Sequence, residues 1–287
     1  MKSIPVKDIM VGDVAYVDIP GNREEVLETL KKRQVSGVPV VKKGQVVGMV
    51  TRTDLLRNPE EDQIALLMTR DPVTVGPQDP VIKAAGLLSE RGIRRLPVVE
   101  DGRLVGMVTV ADVLKVVAEQ NIEDQIERHF QRKIAVLWDE MPLPIAGSIM
   151  EYAQVGACPV LDSELKLVGM ISDRDLINAS VIEDSTAITN MSAGQAEDAW
   201  MWDRIKHTLE VYYAVSKIQL KNIRVRDAMV PPITAIKSRT VSECAALMRK
   251  NRIDQIPVVT SSQNLSGLLR DRDVITALIK YSEHREQ

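Results

Sequence analysis

The chain has 287 residues, and 37 basic against 40 acidic side chains leave a net charge of −3, which excludes a broad basic nucleic-acid footprint. With 45% apolar and 27% charged residues it has the balance of a globular protein of about two domains. Two cysteines, Cys158 and Cys244, exclude a disulfide framework; the N-terminal residues lack the apolar run of a secretory leader and no stretch approaches the ~18 apolar residues of a membrane helix, so a cytoplasmic protein with no membrane contact is expected.

In chain order, the pattern predicts a helix near Arg23–Arg33, strands over Val38–Val41 and Val46–Val50, and a short helix after Thr51. Pro72–Val75 reads as an extended segment. From Pro80 to Arg91, Val81, Ala84, Ala85, Leu87 and Leu88 form the stripe of an amphipathic helix, which Gly92 is placed to end in a left-handed conformation. Strands Leu96–Val99 and Leu104–Val108 flank the hairpin turn Asp101-Gly102, and Thr109 opens a helix to about Val117. A charged, helix-prone connector, 119–132, follows. Next come Ile134–Trp138, a shortened helix near Ile145–Ala153, and strands Cys158–Leu161 and Leu167–Ile171. An insert at about 181–224 holds Trp200, Trp202, Tyr212 and Tyr213, and Trp202, Ile205, Leu209 and Tyr212 lie at the spacing of one helical stripe. The chain closes with Thr234–Ile236, a helix over Thr240–Asn251, strands Ile256–Thr260 and Leu265–Leu269, and a last helix to about Ile279.

One unit recurs four times in this order. Its marks are a proline (Pro39, Pro97, Pro159, Pro257), a glycine nine or ten residues on (Gly48, Gly106, Gly169, Gly267) and an aspartate six residues after that (Asp54, Asp112, Asp175, Asp273). The unit reads strand, helix, strand, strand, helix. At ~50 residues it is too small for a comfortable core of its own, so copies should pair. The expected fold is therefore α/β. Repeats at about 6–58 and 65–118 form a module over 1–118, and repeats at about 133–180 and 225–280 form a second over 133–287 with the helical insert between them.

The recurring aspartate admits two readings. Thr51-x-x-Asp54, Thr109-x-x-Asp112 and Ser172-x-x-Asp175 match the capping box, in which a hydroxyl and an acid close the first turn of a helix. In the fourth copy the hydroxyl is replaced by Arg270 while Asp273 stays, which argues for a second duty. A helix N-terminus with a hydroxyl suits a phosphate, and an aspartate one turn further in can accept both hydroxyls of a ribose. Together they suit a nucleotide, with Arg52, Arg174 and Arg272 as neighbouring cations.

The segments Gly-Met-Val-Thr-Arg-Thr-Asp (48–54), Gly-Met-Val-Thr-Val-Ala-Asp (106–112), Gly-Met-Ile-Ser-Asp-Arg-Asp (169–175) and Gly-Leu-Leu-Arg-Asp-Arg-Asp (267–273), with Ile93-Arg94-Arg95-Leu96-Pro97-Val98-Val99, resemble the cystathionine-β-synthase (CBS) domains. The resemblance implies two-repeat modules with a pseudo-twofold axis and clefts for AMP, ADP, ATP or S-adenosylmethionine, which serve regulation and energy sensing rather than catalysis. It places the Ser/Thr and Asp of one copy with the residues before the proline of its partner. The first cleft then joins Thr51, Arg52 and Asp54 to Arg94 and Arg95, with Val73, Thr74 and Ile93 against adenine. The second joins Thr109 and Asp112 to Ser36 and Gly37, and suits an adenosine moiety with little charge. The third joins Ser172, Arg174 and Asp175 to Asp254 and Gln255. The fourth offers Asp273 beside Gly156, Ala157 and Arg270.

No Ser/His/Asp order, phosphate-binding loop or G-x-G-x-x-G is visible, and His129, His207 and His284 lack ligand spacing, so no enzyme, metal or catalytic cofactor is expected. The expected partners are a small adenosyl ligand and a protein acted on in trans, with closure of the two modules within one chain or as a homodimer. The alternatives are a ligand-free scaffold in which the aspartates only cap helices, an enzyme of nucleotide metabolism and a nucleic-acid binder.

Overall fold

Four short turns, one at the start of each repeat, fasten the repeats to one another. The computed structural model describes residues 4–33, 35–58, 61–179, 220 and 222–286. Within them the turns are Val6–Asp8, Ile64–Leu67, Ile126–Arg128 and Val225–Asp227. Each has an apolar residue four positions before a bulky one: Val6 and Met10, Ile64 and Met68, Ile126 and Phe130, Val225 and Met229. The bulky residue sits on the recurring glycine of another repeat. A Cβ on Gly106 would collide with the Met10 sulfur, one on Gly48 with that of Met68, and one on Gly169 with that of Met229. On Gly267 it would strike the Gln131 carbonyl and the Phe130 ring. The glycine thus recurs because a neighbouring turn needs the space.

Backbone bonds hold the exchange. Val11 and Met107 trade N–H···O bonds of 2.9 Å in both directions, as do Gln131 and Leu268, and Met170 and Val230. Thr69–Arg70 pairs antiparallel with Gly48 and Met49. The turns also borrow carbonyls: the Val6 N–H donates to Asp79, that of Ile126 to Arg239 and that of Val225 to Met141.

The fold is mixed α/β, as expected. In the second repeat, helix Val81–Arg91 precedes a hairpin of strands Arg95–Glu100 and Arg103–Thr109, and helix Val110–Glu119 closes the repeat. Gly92 ends the first of these helices at φ 64°, a left-handed conformation that glycine adopts without strain. The first repeat has helix Arg23–Lys32, strands Gly37–Lys42 and Gln45–Thr51, and helix Arg52–Arg57. The two hairpins join edge to edge through Gln45 and Arg103.

The chain divides into two units. The first comprises Met1–Arg132, Thr234–Val259 and Gly267–Gln287, and the second Lys133–Ile233 and Thr260–Ser266. Inside the first, the helices of the fourth repeat, Val241–Asn251 and Asp271–Glu286, pack on those of the second. Their contact is one apolar core in which Leu88, Val113 and Val117 meet Cys244, Met248, Ile275 and Leu278. Ser242, buried in it, donates to the Val117 carbonyl at 2.6 Å and accepts from the Ile122 N–H at 2.6 Å. In the second unit, strands Leu137–Trp138, Ala157–Leu161 and Leu167–Ser172 form a three-stranded sheet. Helix Leu143–Tyr152 covers it through Leu143, Ala146 and Met150.

Two expectations are corrected. The connector 119–132 is not helical beyond Glu119 except for the single turn Ile126–Arg128. Its backbone is committed elsewhere, since Ile126 donates to Arg239 and Asp124 accepts from Val241, which leaves Ile122, Ile126 and Phe130 buried by extended packing. The last helix runs to Glu286 rather than about Ile279. The aromatic stripe expected in the insert lies outside the described residues.

Both cysteines are buried. Burial, with Asp173 adding to it, pushes the Cys158 thiol up to about 11. Burial pushes Cys244 up to about 12, with Glu243 adding and Arg239 opposing. A thiol-specific disulfide reagent at mildly alkaline pH should therefore modify neither in the folded protein, at rates at least ~100-fold below those in denaturant. Native labelling at the denatured rate would contradict this packing.

Candidate functional site

The site is built from the cap that ends each hairpin. Thr51 ends its strand in an extended conformation, and its N–H and hydroxyl both donate to Asp54 Oδ2, at 2.8 and 2.6 Å. Thr109 treats Asp112 Oδ2 the same way at 2.8 and 2.6 Å, and Ser172 treats Asp175 Oδ2 at 2.8 and 2.5 Å. The acid half of the capping box is therefore present in three copies; at Thr51 the hydroxyl also accepts the Asp54 N–H at 3.4 Å, a cap of about 1 kcal/mol of helix stability. It uses only one carboxylate oxygen: among the described residues, Oδ1 of Asp54, Asp112 and Asp175 has no partner and can still accept hydrogen bonds.

The fourth copy corrects an inference. Asp273 keeps its place without a hydroxyl because the Arg270 N–H donates to its Oδ2 at 2.9 Å and the Arg270 guanidinium grips both oxygens at 3.2 and 3.3 Å. Gln131 adds a bond to Oδ1 at 3.1 Å. Both oxygens are engaged and the side chain is 8% exposed, so nothing beyond folding is needed to explain Asp273.

The first and second repeats bring most of the expected residues together. Gly37 lies opposite Thr51 in one hairpin, and Arg95 opposite Thr109 in the other. The hairpins meet where Arg95 Nη2 donates to the Ser36 hydroxyl. Gly37 is there because a Cβ would approach Arg95 Nη1 to 2.5 Å and the Thr51 methyl to 2.9 Å. Arg52 reaches back to the Val35 carbonyl at 3.2 Å. Arg95 makes no ion pair among the described residues. Burial holds its guanidinium below the ordinary arginine value, and the positive charges of Arg94 and Arg52 lower it further. Arginines crowded at a half-buried position with no carboxylate pairing Arg95 are an arrangement an anion would relieve.

Not every expected residue faces this junction. Arg94 instead pairs with Asp271 at 2.8 Å, and with Ile93 it lines a recess of about 40 Å³ shared with Ser89, Gly92, Asp271 and Arg272. A buried carboxylate 177 residues away draws it there, a partner no local pattern reveals. Val73 packs on the core and Thr74 is exposed, ahead of Val75, which bonds to Pro97 and Val99 alongside the hairpin. In the second unit, Ser172 and Asp175 form their cap with Arg174 exposed beside it. Asp254 and Gln255 belong to the first unit. There the Asp254 carbonyl accepts from the Asp271 N–H at 2.8 Å. The sequence reading overlooked Asp271 and the seats of Met10, Met68, Phe130 and Met229; the repeated apolar pair four residues apart was the available signal.

Among the described residues no helix is long and apolar enough to cross a membrane. The profile of the CBS domain matches four segments, 6–61, 63–119, 126–182 and 225–280. The chain is similar to the uncharacterised protein MJ1225 of Methanocaldococcus jannaschii, 28% identical over 192 residues, 60% of this chain and 69% of that one. It is also similar to an uncharacterised 33.4 kDa protein in a ribosomal RNA operon of Thermofilum pendens, 27% identical over 183 residues and 58% of this chain. It spans 61% of that relative's length. A crystal structure of an uncharacterised conserved protein from Pyrococcus horikoshii matches with a TM-score of 0.69 at 27% identity, over 96% of this chain and 100% of that one.

Proposed function

The chain belongs to the CBS domain family, and from that premise we propose that it is a regulatory protein that binds an adenine nucleotide between its first two repeats and signals to a protein partner in trans. The observation that carries this is Arg95, half-buried beside Arg52 and Arg94 and without a carboxylate partner among the described residues. In this reading Arg95 and Arg52 take the phosphate, Thr51 and the open oxygen of Asp54 take the ribose, and Val73 and Thr74 border the base. The second cleft, at Thr109 and Asp112 with Ser36 and Gly37, brings no arginine of its own and shares Arg95, which engages Ser36; it suits an adenosyl group of little charge, S-adenosylmethionine included. Ser172, Arg174 and Asp175 offer a further site in a second module over 133–287. Asp273 is left out, since its own neighbours satisfy it. Ligand that bridges two repeats favours one arrangement of them, and so changes the surface offered to the partner.

A scaffold with empty clefts is the second reading, favoured by the bonds that Asp54, Asp112 and Asp175 already accept from their own helix starts. Equilibrium dialysis with labelled AMP, ATP and S-adenosylmethionine separates the two. Saturable uptake of AMP or ATP is the expected result; no uptake of any of the three at millimolar ligand makes the protein a scaffold.

A further inference from the structure

Arg94 stands between two claims on its charge. Its Nη2 donates to Asp271 Oδ2 at 2.8 Å and its Nη1 lies 3.9 Å from Asp254 Oδ2. It is also the chain neighbour of Arg95, close enough that its charge acts on that guanidinium. The two ends of the ion pair differ. The Arg94 side chain is 56% exposed, whereas that of Asp271 is 9% exposed at the start of the last helix. Among the described residues, Asp271 Oδ1 accepts only from the Arg272 N–H, at 2.7 Å. The cost of parting them falls on Asp271, left buried and unpaired, rather than on Arg94, which water or another anion can take up.

We infer that Arg94 is a shared cation, held by Asp271 when the first cleft is empty and drawn toward a phosphate when one binds at Arg95 and Arg52, so that phosphate binding between repeats one and two competes with the contact between repeats two and four. This rests on the nucleotide reading above and adds its regulation. The contact at stake joins helix Val81–Arg91 to helix Asp271–Glu286, where Ser89 and Thr276 also share a 3.3 Å hydrogen bond. Withdrawing Arg94 leaves a carboxylate whose burial already raises its pKa, against Arg94, which lowers it, and Asp254, which raises it further. The last helix then loses an anchor. By linkage, whatever loosens that anchor strengthens phosphate binding by the same factor.

The test compares AMP with adenosine, which lacks the phosphate, in calorimetric titrations of the full chain. Asp271→Asn keeps the shape and removes the competing charge, so it should tighten AMP by about tenfold and leave adenosine unchanged. Arg94→Gln should weaken AMP alone, and in that background Asp271→Asn should have no further effect. Should Asp271→Asn not fold, Asp254→Asn at its exposed position should shift AMP in the same direction by a smaller factor. If the wild-type protein binds neither compound, the nucleotide reading fails and this inference with it. If it binds both and neither aspartate variant moves the AMP-to-adenosine ratio, or the gain persists without Arg94, the inference alone is overturned.

Discussion

Replacing Gly267 with alanine should lower stability by on the order of 3 kcal/mol, or about 5–10 °C in Tm, although only one methyl group is added. The new Cβ would lie 2.5 Å from Phe130 Cδ2 and closer still to the Gln131 carbonyl. That carbonyl accepts the Leu268 N–H at 2.9 Å, in the bond pair through which the start of the third repeat seats on the fourth. A backbone group cannot swing aside, so the methyl must part the two strands. Gly106→Ala meets the Met10 sulfur instead, a flexible thioether, and about 1 kcal/mol should suffice. Gly12→Ala is the control: nothing lies within 4 Å of its Cβ, and a change within about 0.5 kcal/mol is expected. Thermal unfolding of the three variants measures the order. If Gly267→Ala unfolds with the control, the recurring glycines are not seats for the neighbouring turns.

These glycines mark the limit of what the sequence discloses. Features set within a few residues were legible: the left-handed end at Gly92, the hairpin at Asp101-Gly102, and the bonds from Thr51, Thr109 and Ser172 to the acids three positions on. Each is a local competition among backbone donors. The period of the repeat was legible too, but not the reason for it. That the Gly106 space belongs to Met10, or the Gly267 space to Phe130, depends on chain segments more than ninety residues apart. The connector after Glu119 read as helical because its charged and apolar residues suit a helix; its backbone donors and acceptors go instead to Arg239 and Val241. Arg94 and Arg95 read alike because adjacency is all a sequence records. Asp271 separates them, holding one arginine and leaving the other with a hydroxyl. The fourth copy misled in the opposite sense, since Arg270 supplies by charge what the missing hydroxyl supplied elsewhere, and the survival of Asp273 says nothing of ligands.

Arg95→Gln should weaken AMP by about 10- to 150-fold, the loss of one charge-assisted hydrogen bond of about 1.5–3 kcal/mol, while adenosine binding stays nearly unchanged. The same variant should not weaken the fold. Burial lowers the pKa of Arg95, and the charges of Arg94 and Arg52 lower it again, so folding disfavours the charged form that binds phosphate. The Ser36 hydroxyl that Arg95 engages is exposed and can turn to water where the shorter glutamine does not reach it, and the substitution removes the repulsion. Without ligand its Tm should equal or exceed that of the parent; with AMP present the order should reverse, because only the parent gains the stabilisation that ligand confers on the folded state. A residue kept for structure alone would show the other pattern, a lower Tm and an AMP affinity that does not move. That pattern would refute an anion site at Arg95. A charge that costs stability when the cleft is empty and returns it when a phosphate arrives makes occupancy of this junction, rather than its folding, the quantity such a protein can report.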